Sequence, residues 1–154
     1  MAAQVPDRIL LNSEDLDLYS NPLELYWINT GKKRPSFHVS PECKRGYIAD
    51  WEIKDQELFL TAVSASFDKR FLIFGKKLAV YTLKTLFPRC RGRLVKAIWF
   101  SGKLRIPHGK MTMYEHQGYE SRFEKEIIVT VEKGKVIKMV TLDFTQKTLI
   151  VNSA

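Results

Sequence analysis

The stretch EIIVTVEKGKVIKMVTLDF, residues 126–144, decides the fold that we predict for this chain. Residues 126–132 and 136–144 have the composition of two strands, and the intervening KGK is typical of a tight hairpin turn. Residues 148–151 predict a third strand that follows a second turn. The C-terminal part of the chain therefore reads as an antiparallel meander.

A second hairpin is predicted upstream, with strands over 47–53 and 58–63 joined by the polar link 54–57. Side chains point to the same face at every second residue of a strand, and one face of the first strand is apolar. The residues on that face, which we expect in the core, are Tyr47, Ala49, Trp51 and Ile53.

A third hairpin is predicted from residues 95–100 and 103–107, with a tight glycine turn at Ser101-Gly102. Proline has no N–H group to donate to a neighbouring strand. Pro107 is therefore expected at an edge of the sheet or at an exit from it.

Shorter signals complete the predicted fold. Alternation over 23–28 predicts another strand, and so does the apolar run 71–74. Leucines at roughly helical spacing predict the one main helix over 77–87. We expect this helix to end before Pro88, because the residue preceding a proline is pushed away from the α region.

Length and composition indicate a single domain, 1–154, of the α+β class, dominated by antiparallel hairpins with one main helix. A chain of 154 residues that is 45% hydrophobic can bury one core. Residues 1–20 have a weak pattern and read as a loosely ordered acidic arm, in which 12–15 could cap a short turn. The chain shows neither a secretory signal nor an apolar run of membrane-spanning length, so a cytoplasmic location without membrane contact is expected.

Charge is distributed unevenly along the sequence. The net charge is +8, yet residues 1–31 hold five acids and one Arg. Residues 69–113, which we call the basic segment, hold twelve Lys or Arg and no Asp or Glu. Such a density is typical of a surface that faces an anionic partner. Whether the acidic residues of 1–31 fold back over the basic segment is open at the level of sequence.

The basic segment contains the predicted binding residues. Arg89, Arg91 and Arg93 occupy alternate positions, so in an extended segment their side chains would project one way and could clamp a carboxylate or a phosphate. The full predicted set is Arg89, Arg91, Arg93, Lys96, Lys103, Arg105, Lys76 and Lys77.

One polar cluster offers chemistry that an enzyme could use. His116, with Glu115 or Glu120, could act as a general base, and Arg105 could hold an anionic group. The same cluster also reads as a loop that hydrogen-bonds across the end of the sheet, and we predict no catalytic residue. Its spacing matches no zinc motif, and the chain has no phosphate-binding glycine loop, so neither a metal nor a cofactor is predicted. Cys43 and Cys90 stand alone and read as reduced thiols.

Four short motifs resemble those of a family of small uncharacterised bacterial proteins. They are GYIAxWEI at 46–53, LFP at 86–88, WFSGxLRIPxG at 99–109 and YxHxGY at 114–119. The residue before the tryptophan of the third motif is usually acidic in that family, whereas here it is Ile98. The resemblance implies a small bacterial β-rich domain and brings no activity, cofactor or catalytic residue with it.

Three functional hypotheses follow from the sequence. The first is a non-catalytic binding module that engages an acidic protein partner through the basic segment, for example an immunity or accessory protein for a toxin or effector. The second is a nucleic-acid-binding protein, in which the same cations neutralise phosphates and aromatic residues of the segment stack on bases. The third is a small hydrolase-like enzyme centred on His116. The oligomeric state is open.

Overall fold

The hairpin-forming residues build one sheet, mostly antiparallel, with one main helix packed against it. The structure is a computed structural model that describes residues 2–66, 80–81, 83–90, 94–145 and 150–152. The strands are β1 Asp7–Leu11, β2 Glu14–Leu18, β3 Ile48–Lys54, β4 Glu57–Ser66, β5 Val80–Tyr81, β6 Val95–Lys96, β7 Gly102–Met113, β8 Arg122–Glu132, β9 Lys135–Asp143 and β10 Ile150–Asn152. The helices are α1 Pro22–Thr30 and α2 Leu83–Leu86. Among the described helices, none combines the length and apolar content needed to cross a bilayer.

The strand order is β2-β1-β3-β4-β9-β8-β7, with β10 added to β9 and the two-residue strands β5 and β6 added to β4. β1 pairs with β3 in parallel, and the other described pairs are antiparallel. The sheet is curved, so that its two end strands, β2 and β7, lie close together. Tyr19, just after β2, donates its N–H to the carbonyl of Arg105 in β7 at 2.7 Å. Buried apolar residues from α1 and from most strands form one core.

Two predicted hairpins are confirmed. β3 and β4 pair through a two-residue turn at Asp55 and Gln56, both with positive φ, which is shorter than the predicted link. β8 and β9 pair through Lys133 and Gly134, and β10 adds the third strand of the meander. Three of the four predicted core residues, Tyr47, Ala49 and Trp51, are buried, and Ile53 packs against the core in a partly buried position.

The strand predicted over 23–28 was wrong, because these residues lie in α1. Pro22 is preorganised for the first turn, and Gly31 ends the helix in the left-handed conformation, where its N–H donates to the carbonyl of Trp27 at 3.0 Å. Leu23, Tyr26 and Trp27 are buried at helical spacing. The spacing of the apolar residues in this stretch fits a strand as well as a helix, and the flanking proline and glycine favour the helix.

The hairpin predicted over 95–107 was also wrong. β6 pairs with β4, whereas β7 pairs with β8 along most of its length. Phe100 donates its N–H to the carbonyl of Ala97 at 3.1 Å, in a turn that redirects the chain between two separate partners. Pro107 lies in β7, the last strand of the order, so its predicted position at an edge is confirmed, although β7 continues beyond it.

The main helix was predicted in the wrong place. Within 77–87, Val80–Tyr81 is a strand and Leu83–Leu86 a single helical turn, while residues 77–79 and 82 lie outside the described residues. The short helix does end before Pro88, as expected. The strand predicted over 71–74 also lies outside the described residues.

Residues 7–18 form a hairpin rather than part of a loosely ordered arm. Asn12 and Ser13 make its turn with positive φ, so residues 12–15 do not cap a helical turn. β1 is sandwiched between β2 and β3 and buries Ile9 and Leu11 in the core. The alternation is short and interrupted by acids, which explains why the sequence signal is weak.

Candidate functional site

Half of the twelve cations of the basic segment are described by the structure. Four of them are exposed and form no ion pair with an acid among the described residues; they are Lys84, Arg89, Lys103 and Lys110. We call these four the exposed cations. The other two are paired: Lys96 Nζ lies 2.8 Å from Glu57 Oε1, and Arg105 forms an ion pair with Glu126.

The predicted arginine clamp is only partly described. Arg89 is exposed at the end of a turn, whereas Arg91 and Arg93 lie outside the described residues, as do Lys76 and Lys77. The predicted common direction of the three guanidinium groups therefore remains a prediction.

The acids of residues 1–31 are mostly engaged away from the basic segment. Asp15 and Asp17 pair with Arg8, and Arg34 holds Glu24 through two nitrogens at 3.0 and 3.1 Å. The exception is Glu14, whose Oε2 lies 3.1 Å from Nε2 of His108 in the basic segment. Apart from this contact, the described acids of 1–31 make no ion pair with the basic segment.

The remaining N-terminal acid, Asp7, lies in a buried network that the sequence analysis missed. Its carboxylate is 0% exposed and accepts hydrogen bonds from Arg45 Nη2 at 2.7 Å, the N–H of Ala49 at 3.0 Å and Trp51 Nε1 at 3.2 Å. Burial raises the pKa of Asp7, and the charge of Arg45 opposes this. The carboxylate accepts hydrogen bonds from all of these groups, and no solvent reaches it. It therefore joins β1 to β3 rather than offering a reactive group. Its signal is an Asp two residues before Ile9, on the core-facing side of a strand.

A second group of contacts holds the half-buried side chain of Arg34, in the loop after α1. Its guanidinium lies over the rings of Trp27 and Phe37, 5.3 and 5.0 Å from their centroids, and donates to the carbonyl of Arg45 at 2.7 Å. The hydroxyl of Tyr47 donates to Glu24 at 2.5 Å, and burial raises the pKa of Tyr47. These groups fix the loop after α1 against the core.

A cleft of about 470 Å³ lies beside β7 and β8, and we call it the β7–β8 cleft. Its lining residues are Arg105, Thr112, Glu120, Arg122, Phe123, Glu126 and Phe144. Arg105 is held on several sides, by Glu126, by the carbonyl of Tyr119 at 2.6 Å and by the ring of Tyr19 at 5.4 Å. Arg122 and Glu120 are exposed, and neither makes an ion pair with a described residue.

The structure divides the polar cluster that was considered for catalysis. Glu120 lines the β7–β8 cleft together with Arg105, but His116 is not among the residues that line it. His116 is exposed, with Nδ1 at 2.8 Å from the hydroxyl of Tyr114. The N–H of Glu115 donates to Ser121 Oγ at 3.0 Å, a contact within the loop that joins β7 to β8. A histidine-based site joined to Arg105 therefore lacks its geometric support in the described residues.

Three aromatic residues of the basic segment, Phe87, Trp99 and Phe100, are packed. Phe87 stacks on Trp99 at 5.8 Å, and Trp99 lies 4.9 Å from Tyr26 of α1 and donates Nε1 to the carbonyl of Pro22 at 3.0 Å. Phe100 is buried. These rings join the segment to α1 instead of forming an open platform for bases.

No described group of His, Cys, Asp and Glu side chains is placed to hold a metal ion. Cys43 and Cys90 are both unpaired, and the Cys43 thiol lies 3.3 Å from the carbonyl of Tyr47.

Comparison of the chain with protein-family models, with curated proteins and with solved structures gave no match. The molecule is therefore defined by its fold, a mostly antiparallel sheet with one main helix, and by its charged surfaces.

Proposed function

We propose that this chain is a non-catalytic binding module that recognises an acidic protein surface through the basic segment. The observation that carries the proposal is the contrast between two sets of charges. The exposed cations have no acidic partner among the described residues, while the acids of residues 1–31 are mostly engaged elsewhere. An acidic partner would supply the missing countercharge, and charge complementarity of this kind gives fast and specific association.

The packing of three aromatic residues of the basic segment favours a protein over a nucleic acid as the partner. Stacking on bases needs exposed rings, and Phe87, Trp99 and Phe100 are engaged with α1 or with the core. An immunity or accessory protein that neutralises an acidic toxin or effector is one concrete form of the proposed module.

The proposal predicts that binding depends on the exposed cations and not on net charge alone. A fluorescein-labelled oligoglutamate peptide would be titrated with the protein, and affinity read from fluorescence anisotropy at low and moderate salt. Replacing all four exposed cations by Gln should weaken binding by about tenfold or more, since each exposed ion pair is worth about 0.2–1 kcal/mol. The substitutions are Lys84→Gln, Arg89→Gln, Lys103→Gln and Lys110→Gln.

A matched control removes the same number of charges from exposed positions outside the basic segment. Its substitutions are Lys33→Gln, Lys54→Gln, Lys133→Gln and Lys135→Gln. The control should retain nearly all of the wild-type affinity. Equal losses in the two variants would show that the peptide senses only net charge, and the proposal would then be abandoned.

A further inference from the structure

The β7–β8 cleft contains charges that the proposed function does not use. Arg105 and Glu126 neutralise each other, so the unpaired charged groups of the lining are Glu120 and Arg122. They flank Ser121, which is only 5% exposed, and both of their side chains line the cleft. The cleft therefore presents one anionic and one cationic group close together along the chain.

The cleft also has an apolar wall. Phe123 and Phe144 line it, and the side chain of Phe144 is 60% exposed. A ligand that covers this exposed ring removes apolar surface from water. That burial stabilises the complex by about 25 cal/mol per Å² of apolar surface. The hydroxyl of Thr112 adds a group that can donate or accept a hydrogen bond.

The charges also limit the kind of ligand. A dianionic group such as a phosphate would face the carboxylates of Glu120 and Glu126, and like charges at short range are unfavourable. A ligand with one negative and one positive group on neighbouring atoms satisfies both Arg122 and Glu120. The volume of about 470 Å³ lies within the range of roughly 300–1,000 Å³ that is common for small-ligand sites.

We propose that the β7–β8 cleft binds a zwitterionic aromatic α-amino acid. Arg122 receives the α-carboxylate, Glu120 receives the α-ammonium group, and the aromatic side chain packs against Phe144 and Phe123. Arg105 is a positioning residue in this arrangement, because its contacts with Glu126 and Tyr119 fix the floor on which the ligand lies. The proposal is independent of the basic-segment function, since it uses none of the exposed cations.

Three related compounds test the charge recognition. L-phenylalanine, phenylalaninamide and N-acetylphenylalanine would each be titrated into the full chain at neutral pH, with binding followed by NMR chemical shifts. The amide lacks the carboxylate and the acetyl compound lacks the ammonium group. Each derivative should bind about five- to tenfold more weakly than L-phenylalanine, which is the size of effect expected for a partly exposed charged hydrogen bond.

Two variants assign the groups. Arg122→Gln should weaken the binding of L-phenylalanine until it binds no more tightly than the amide. Glu120→Gln should weaken it until it binds no more tightly than the acetyl compound. Lys54→Gln is the control and should leave all three titrations unchanged. The proposal fails if L-phenylalanine shows no saturable binding, if the amide binds the wild type as well as the free amino acid does, or if both variants weaken all three compounds equally. Circular dichroism would verify that the variants are folded. If a variant is not folded, the affinities of the three compounds for the wild type test the proposal on their own.

Discussion

Replacing Asp7 by Ala is expected to lower the free energy of unfolding by about 3–5 kcal/mol, because removing one partner of a buried ion pair leaves the other charge uncompensated. Arg45 loses its carboxylate in a site where its own side chain is almost completely buried. The N–H of Ala49 and the indole N–H of Trp51 also lose their acceptor. An unsatisfied buried donor adds to the cost.

Urea denaturation followed by tryptophan fluorescence would measure this loss. The matched control is Asp17→Ala, which removes a carboxylate from the exposed pair with Arg8 on the neighbouring strand. Exposed pairs contribute only about 0–1 kcal/mol, so the control should remain close to the wild type. Similar small losses in both variants would contradict the role assigned to the buried network.

The substitution Gly46→Ala is expected to cost about 2–5 kcal/mol, as the sum of a left-handed backbone and overpacking. Gly46 has a φ of +80°, and an added Cβ would lie 2.4 Å from Cβ of Phe37 and 2.9 Å from the carbonyl oxygen of His38. Neither atom is the flexible end of a side chain. The loop after α1 or the start of β3 must therefore shift to admit the methyl group.

Gly31→Ala isolates the backbone contribution. Gly31 has a similar φ of +72°, but an added Cβ would meet nothing within 4 Å. Its loss should be about 1–2 kcal/mol, the cost of a left-handed conformation for a residue with a side chain. The difference between the two variants, measured by denaturation under the same conditions, reports the close approach at Gly46. Equal losses would mean that the loop accommodates the methyl group without strain.

Local patterns predicted the elements that pair with their neighbours in sequence. β3 with β4 and β8 with β9 are joined by two-residue turns, so the alternation and the turn residues lie within one short window. β6 and β7 were assigned to one hairpin by the same reasoning, yet β6 pairs with β4, which is distant in sequence, and β7 pairs with β8 across the loop 114–121. A short window contains no information about a distant partner.

The position of the main helix shows a different limit. The apolar residues of α1 fit both a strand and a helix, and the decisive features are the proline at its start and the glycine after its end. The alternation over 23–28 indicates a strand when it is taken without the flanking Pro22 and Gly31. The segment at 77–87 has helical spacing, but Val80–Tyr81 pairs with β4 there. Tertiary pairing outweighs local propensity at that point.

The candidate sites were only partly accessible from sequence. The charge bias located the basic segment, because charge can be counted along a chain. Whether the acids of 1–31 cover that segment depended on Arg8, Arg34 and Arg45 as competing partners, which only the fold brings into place. The sequence grouped Arg105 with Glu120, and both line the β7–β8 cleft, but nothing in the sequence indicated Phe144, which follows β9 and completes the lining.

One anisotropy measurement tests the central claim, that the basic segment recognises an acidic protein surface and not a nucleic acid. Labelled oligothymidine and an abasic strand of the same length would be compared at moderate salt, with the wild type and the variant that lacks the exposed cations. Base stacking contributes about 1–3 kcal/mol per base where a protein uses it. We predict that the wild type binds the two strands equally and more weakly than it binds the oligoglutamate peptide, because Phe87, Trp99 and Phe100 are packed. Oligothymidine binding at least tenfold tighter than the abasic strand, or either strand binding more tightly than the peptide, would contradict the account.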